Sequence, residues 1–378
     1  MAYSVKTVVD RRTMRDFLRL PFRVYRGNPH WVPPLSSEVR RTLNASKNPY
    51  FADATLDLFV CASDGLPVSR AALVVNEAHC SKSGARAGFF GFFESFDDQD
   101  GVNTLFEAVE RRCRERNVAS LEGPFNPNHY SELGLLVDRY DEDQGFFEPY
   151  NPGYYHRLLA GAGFERGVTL FTGRNGDVRS YLRNRYGPPP PGSASPRGFV
   201  VRTFDPARME EDLEKIRVVF NDAFSSNWNF LPASPEEHRF AAKYLKQITE
   251  PRLVTIVEHR GEPVGVLMCV LDVNPLLRRM NGRVGPLTYC RFLAGKRRLR
   301  TLVVYAVGIR KSYRRTRVFT LLLDSMRRMA DSFDVMVCTW MHPANVISVS
   351  TASRVGLVPY KHLQMYAKNV TGRGGART

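Results

Sequence analysis

The stretch VVYAVGIRKSYRRTRVFTLLLDSMRRMA, Val303–Ala330, decides how the chain is read. Its opening run, rich in β-branched residues, has the character of a strand, and from Val318 onward apolar residues recur at helical spacing. Between them lies a basic turn, Arg310–Arg317. Strand, loop and helix therefore meet at a phosphate-sized gap. The first backbone N–H groups of a helix, backed by its dipole, make such a junction an anion cradle. Loops of this type usually carry Gly, which supplies clearance and freedom of φ. Here Arg stands in those places.

The bulk numbers bound the partners. The 378 residues predict two domains of ordinary size. Lys and Arg number 54 against 38 Asp and Glu, a formal charge of +16, and the isoelectric point is about 9.8. That excess points to an anionic partner, whether a phosphorylated cofactor, a nucleic acid or an acidic surface. The six cysteines (Cys61, Cys80, Cys113, Cys269, Cys290, Cys338) are scattered without a CxxC pair or a neighbouring His at ligand spacing, so free thiols and no metal are expected. No apolar run approaches the roughly 20 residues that span a bilayer, and the N-terminus is charged where a secretory leader is apolar. A cytoplasmic protein with no membrane span is expected.

A Pro-rich seam, RYGPPPPGSASPRG (185–198), divides the chain. The expected boundaries are a first domain over 1–184, a linker over 185–198, a second domain over 199–370 and a basic tail over 371–378. Each half alternates strands and helices in a similar order, which predicts a duplicated α/β fold. In the first half, hairpin strands surround a turn at Asp64-Gly65, GFFGFFES (88–95) reads as a strand, and Gln99–Asn117 as a helix. In the second, Ser234 and Glu237 form a capping box, a hairpin turns at Arg260-Gly261, and DVMVCTW (334–340) is a strand before a helix from Asn345.

VVYAVGIRKSYRRTRVFTLLL with WMHPANVISVSTASRVGL resembles the acyl-CoA-binding core of GNAT acyltransferases (Gcn5-related N-acetyltransferases). Val307, Tyr313, Arg314, Val318, Asn345 and the Gly356-Leu357 helix end fall on that family's pattern. FRVYRGNPHWVPPL, GFFGFFESFDD, LEGPFNPN, ELGLLVD and WNFLP are similar to segments of a large family of bacterial tandem-GNAT proteins. The resemblance implies two GNAT-like domains, each a mixed, mostly antiparallel sheet flanked by helices. It also implies an acyl-CoA co-substrate held by Val307, Gly308, Ile309, Arg314, Arg315, Thr316, Arg317, Val318 and Asn345. Strand residues Tyr305–Ile309 would part from DVMVCTW and offer carbonyls to pantetheine amides, with the arginines on phosphate. The family's loop glycines fall on Arg315, Arg317 and Phe319, its frequent general-acid Tyr falls on Ala352, and no Glu stands on the strand before the loop.

The corresponding segment of the first half, ESFDDQDGVNTLF, is acidic. Asp97, Asp98 and Asp100 suit a helix start but repel pyrophosphate, so this half is expected not to bind CoA. Glu94, in an aromatic strand, is either a base with a raised pKa or a structural carboxylate. Tyr154, Tyr155 and His156 line a substrate pocket or fill the core. His342, at the C-terminal end of a strand, is a general base or a turn cap. Trp228 and Tyr305 are candidate acceptor-site and catalytic residues, or structural ones. The basic run Cys290–Thr301 is a solvated face or an electrostatic funnel.

The expected function is transfer of an acyl group from acyl-CoA to a small-molecule amine bound between the two halves. The strand N–H groups would stabilise the oxyanion and proximity would supply much of the rate. Two other readings stay open: an aminoacyl-tRNA-dependent transferase, with tRNA as donor, and a non-catalytic GNAT pair acting as a binding module.

Overall fold

The computed structural model describes residues 2–128, 130–189 and 198–370. Most of the Pro-rich linker, at 190–197, and the tail, at 371–378, lie outside the described residues.

The first half of the sequence forms β1 (Tyr3–Thr7), α1 (Arg11–Val24), α2 (Ser36–Thr42), β2 (Ala54–Ser63), β3 (Leu66–Asn76), α3 (Glu77–Ser83), β4 (Ala87–Ser95), α4 (Gln99–Glu115) and β5 (Ser120–Gly123). Three two-residue strands follow, β6 (Phe125–Asn126), β7 (Glu132–Leu133) and β8 (Leu135–Leu136), then α5 (Tyr155–Gly161), β9 (Glu165–Asn175) and α6 (Val178–Tyr186). The second half forms β10 (Phe199–Thr203), α7 (Met209–Phe224), α8 (Pro235–Ile248), β11 (Val254–His259), β12 (Glu262–Leu271), α9 (Asn274–Met280) and α10 (Pro286–Lys296). It ends with β13 (Thr301–Ile309), α11 (Val318–Ala330), β14 (Val335–Met341), α12 (Val346–Arg354) and β15 (Val358–Asn369).

Local chemistry explains the element boundaries. Both hairpin turns place two residues at positive φ, Asp64 (47°) with Gly65 (83°) and Arg260 (52°) with Gly261 (86°). That is the geometry whose twist matches paired antiparallel strands. At the start of α8 the Ser234 hydroxyl accepts from the Glu237 amide at 3.1 Å, and the Glu237 carboxylate accepts from the Ser234 amide at 2.7 Å. The capping box is thus formed as its residues predict. Helix α4 buries Val102, Leu105, Phe106, Val109 and Cys113, one stripe at helical spacing.

The chain divides into two compact units. The first comprises residues 1–170, 277–288 and 361–378, the second residues 171–276 and 289–360. Within the first unit the strands run β1-β2-β3-β4-β5, then the later part of β15 and the earlier part of β9. Neighbours are antiparallel except β4 and β5, which are parallel. Its core gathers Leu73, Phe90, Leu105, Phe106, Leu121, Tyr155 and Phe164. Within the second unit the order is β10-β11-β12-β13-β14, then Phe171–Asn175 of β9, and here β13 and β14 are the parallel pair. Ile216 and Val219 of α7 pack on Ile256, Val266 and Ala306.

Each unit thus repeats the same order of elements around one parallel pair, in a mixed α/β fold. The unit boundaries differ from 1–184 and 199–370 in that each sheet is completed by a final strand from the other half of the sequence. Tyr366–Asn369 pair with β5, and Phe171–Asn175 pair with β14. Residues 277–288 also join the first unit. Gly282, at φ +74°, comes so close to Phe22 that a Cβ would lie 2.5 Å from its Cζ, and its carbonyl accepts from the Ser36 amide.

One close approach sets α11 on its sheet. A Cβ at Gly265 of β12 would lie 2.5 Å from Cγ1 of Val318, the first residue of α11. Gly265→Val should push the helix start off the sheet and lower stability by roughly 1–3 kcal/mol. Chemical denaturation checks this, with Val257→Ile, on an adjacent strand, as a control for overpacking without helix displacement.

Candidate functional site

In the second unit the parallel pair parts. Pairing of β13 with β14 holds from Thr301/Val335 to Val304/Cys338 and is not continued. Beyond it, β13 stays bonded to β12 as far as Ile309, with a bulge at Tyr305 where Val304 opposes Cys269 and Ala306 opposes Met268. The edge of Tyr305–Ile309 that faces away from β12 is therefore open. Across the gap the Thr339 hydroxyl of β14 reaches the Tyr305 carbonyl at 3.5 Å. A strand edge of this kind offers N–H and C=O groups to any extended amide-bearing ligand.

Strand β13 then runs into the basic loop. No residue from Arg310 to Arg317 has a positive φ. Lys311–Tyr313 form a 3-10 turn, Arg314 is helical at φ −61°, and Arg317 begins α11 at φ −74°. The loop follows a helix-like path, so side chains fit where Gly was expected. Contacts with α7 and β11 help to fasten it. The Lys311 amide donates to the Asp222 carboxylate at 2.6 Å, the Arg314 guanidinium donates to the Ala223 carbonyl at 2.8 Å, and the Tyr313 hydroxyl meets His259 Nδ1 at 3.0 Å. The Thr316 hydroxyl caps locally, donating to the Tyr313 carbonyl and accepting from the Val318 amide.

What remains is a set of donors without acceptors. The amides of Arg315, Arg317, Phe319 and Thr320 have no protein partner among the described residues. The exposed side chains of Arg315 and Arg317 are likewise without an ion pair. Unpaired N–H groups at a helix start beside two free guanidinium groups match the geometry of a phosphate site. Val307 and Ile309 are half-buried and Gly308 is buried on the open strand. There the absent side chain of Gly308 admits Val219 and Ala223 of α7.

Several candidates gather near the C-terminal end of β14. The His342 ring lies 5.7 Å from the Trp228 ring, centroid to centroid, and Asn345 donates to the Asn227 side-chain oxygen at 3.2 Å. Asn345 also caps α12, accepting from the Ser348 amide. His342 Nδ1 accepts from the Ala344 amide at 3.1 Å, and burial lowers its pKa. A neutral ring that accepts at Nδ1 carries its proton on Nε2. As placed, His342 is a turn cap with one N–H to donate, and it has no free lone pair with which to act as a base. Tyr305 packs against the α7 core, and burial pushes its hydroxyl up to about 12, so it stays protonated at neutral pH.

The first unit has the same parting strands, and its own atoms fill them. Pairing of β4 with β5 runs only from Ala87/Ser120 to Phe89/Glu122. Beyond it the Asn126 side chain accepts from the Phe92 amide at 2.6 Å. The Phe125 carbonyl presses so close to Gly91 that a Cβ there would lie 1.6 Å from the oxygen. The start of α4 is filled too: Asp98 accepts from the Gly101 amide at 3.0 Å, and Asp97 pairs with Arg157. A cofactor with phosphates meets carboxylates there in place of free amides.

Glu94 is buried in this unit. Its carboxylate accepts from the Tyr155 hydroxyl at 2.7 Å and faces Arg70 at 3.7 Å. Burial raises its pKa, and Arg70 and Tyr155 oppose the rise. Tyr155 is 0% exposed, and its hydroxyl also accepts from the Ser95 amide. Tyr154 donates to the Ser95 carbonyl, and His156 joins Tyr366, Tyr140 and the Leu136 carbonyl. These contacts place Tyr155 wholly inside the packing of the first unit. Glu132, which the sequence reading did not single out, is pushed up to about 7 by burial, with Glu94 and Glu148 adding repulsion and an Asn126 hydrogen bond opposing. Its signal was short-range only, a lone Glu in a Gly- and Leu-rich segment.

With this geometry in hand, the fold can be placed: the chain has the fold of the tandem GNAT proteins. It superposes on a tandem GNAT protein from the clavulanic acid biosynthesis pathway with a TM-score of 0.58 at 13% identity, covering 99% of this chain and 100% of that one. In sequence it is 28% identical over 377 residues to the bacterial ceramide synthase of Caulobacter vibrioides (strain NA1000 / CB15N), covering 97% of each chain. It is 24% identical over 388 residues to protein YghO of Escherichia coli (strain K12), covering 97% of this chain and 95% of that one. No family model matches the chain. Among the described residues no helix is long and apolar enough to cross a membrane, and no group of His, Cys, Asp or Glu has the arrangement to hold a metal ion.

The raised pKa of Glu132 has a definite sign in stability. Its folded pKa, about 7, lies above the ordinary carboxyl value, so its favourable contribution is complete below the unfolded pKa and is lost as pH rises through about 7. Glu132→Gln removes that loss. The variant should match the parent near about pH 4 and exceed it by roughly 1–3 kcal/mol near about pH 8. Denaturant melts at the two pH values check the difference.

Proposed function

We propose that the protein is an N-acyltransferase whose second unit binds acyl-CoA and passes the acyl group to a primary amine. The observation that carries this reading is the open edge of β13 leading directly into four unpaired amides and two free arginines. A thioester donor with pantetheine amides and a pyrophosphate needs those two features in that order. Val307, Gly308 and Ile309 would face the pantetheine arm. Arg315, Arg317 and the amides at the start of α11 would face phosphate, with Arg314 and Thr316 holding the loop in shape and Val318 seating the helix.

In the reaction the amine nitrogen attacks the thioester carbonyl, the C–N bond forms, and the C–S bond breaks. The amine gives up one proton and the departing thiolate takes one, so the products are an amide and free CoA. The free N–H groups of the open strand would stabilise the developing oxyanion. Tyr305 keeps its proton at neutral pH and would serve as a hydrogen-bond donor to the departing sulfur, while the proton that the thiolate takes would come from the amine by way of solvent. His342, with its Nε2–H, and Trp228, whose rings lie 5.7 Å apart, would orient the acceptor. Similarity over nearly the whole chain to a bacterial ceramide synthase supports a long-chain amino alcohol as acceptor, the amine class that becomes a ceramide when acylated.

Titration calorimetry with CoA, acetyl-CoA and longer acyl-CoAs, run beside deacylated tRNA, tests the reading. CoA species should bind, and Arg315→Ala with Arg317→Ala should weaken binding by roughly 10- to 100-fold. Heat from tRNA alone, strongly reduced by salt, would shift the assignment to an aminoacyl-tRNA donor, and no heat from either would favour a non-catalytic binding module.

A further inference from the structure

Helix α10 is apolar on both sides. Phe292 is buried, and Gly295 packs so tightly on Leu276 that a Cβ would lie 2.5 Å from its Cδ2. These residues define the inward face. On the rest of the helix Leu287 is 63% exposed, Tyr289 46% and Leu293 48%, and just before it Val284 is 53% exposed. Burying such side chains away from water is favourable. Leaving several exposed on one short helix is therefore unusual for a surface meant to stay in water.

Charge surrounds this apolar surface, and it is of one sign. From Val273 to Leu323 the chain carries no Asp or Glu. Arg283, Arg291, Arg297 and Arg298 are exposed, and the side chains of Arg291, Arg297 and Arg298 have no ion pair among the described residues. Arg297 and Arg298 follow the end of α10, where their long stems can lie along the apolar surface with the guanidinium groups held outward. Exposed leucines and a tyrosine among unpaired arginines form the pattern of a helix that rests in the headgroup layer of an anionic bilayer. A nucleic acid would be met by the arginines alone and leaves the exposed leucines unexplained.

We propose that α10 and the arginines around it dock the protein on an anionic lipid surface, with Leu287, Tyr289 and Leu293 entering the headgroup boundary and Arg291, Arg297 and Arg298 meeting lipid phosphates. The proposal does not require the acyl-CoA reading, because binding to vesicles needs no donor.

The test is flotation of the full chain with vesicles of phosphatidylcholine containing phosphatidylglycerol, against phosphatidylcholine alone, with no CoA present. The chain should float with the anionic vesicles and not with the neutral ones. Leu287→Ser with Leu293→Ser, and separately Arg297→Glu with Arg298→Glu, should each weaken binding by about tenfold or more. Both pairs are exposed, so the melting temperature of each variant should match the parent, which separates lost docking from lost folding. Equal flotation with both vesicle types, or parental binding by the leucine variant, overturns the proposal. So does retention on tRNA without flotation, which assigns the arginines to RNA. A concentration-dependent dimer abolished by the leucine changes, again without flotation, assigns the face to a second copy.

Discussion

The second unit depends on one geometric event, the loss of pairing between β13 and β14 after Val304 and Cys338. Two parallel strands that stayed bonded to their ends would leave no donor or acceptor for a ligand. By parting while β13 remains fastened to β12 on its other side, the sheet keeps its stability and exposes one backbone edge. The bulge at Tyr305 marks the place where this happens, because an extra residue bends the strand and shifts its bonding pattern. The direction of β13 then carries the chain into the Arg loop, and Gly265 lets the start of α11 sit close on β12 through Val318.

The comparison of the two halves gives this event its meaning. Both units have the parallel pair and both lose its pairing early, and they differ in what stands beyond the break. In the first, Asn126 takes the amide that opens at Phe92, Phe125 lies against Gly91, and Asp98 takes a first-turn amide of α4. In the first unit a side chain, a carbonyl and a carboxylate thus occupy the positions that correspond to the open strand edge and helix start of the second. The same unit holds Glu94 and Glu132 in surroundings that raise their pKa values.

Much of this was legible in the sequence. The β-branched run, the basic turn and the apolar spacing after Val318 gave the strand, loop and helix, while Asp64-Gly65, Arg260-Gly261 and Ser234 with Glu237 located turns and a cap by local chemistry. The acidic residues at the start of α4 read as helix-start residues, and Asp98 caps its first turn while Asp97 pairs with Arg157. What could not be read was non-local. That the last strand of each half pairs within the other unit leaves no periodic trace in β9 or β15. The arginines at Gly positions pointed to a strained or altered cradle, and the loop avoids strain by keeping negative φ throughout and fastening itself to α7. His342 read equally as a base or a cap until the Ala344 amide at Nδ1 fixed its proton on the other nitrogen. Glu132 lay in a segment with no helical or strand pattern, so its nearness to Glu94 had no sequence signal.

The central claim is that the donor lies along the open edge of β13 and on the amides at the start of α11. Hydrogen–deuterium exchange of the full chain, with and without a saturating acyl-CoA, reads those amides directly. The account predicts slowed exchange confined to peptides covering Tyr305–Ile309 and Arg315–Thr320, with the corresponding segment Phe92–Gly101 of the first unit unchanged. Protection in Phe92–Gly101, or none along β13 and the start of α11 while the ligand is bound, would contradict it.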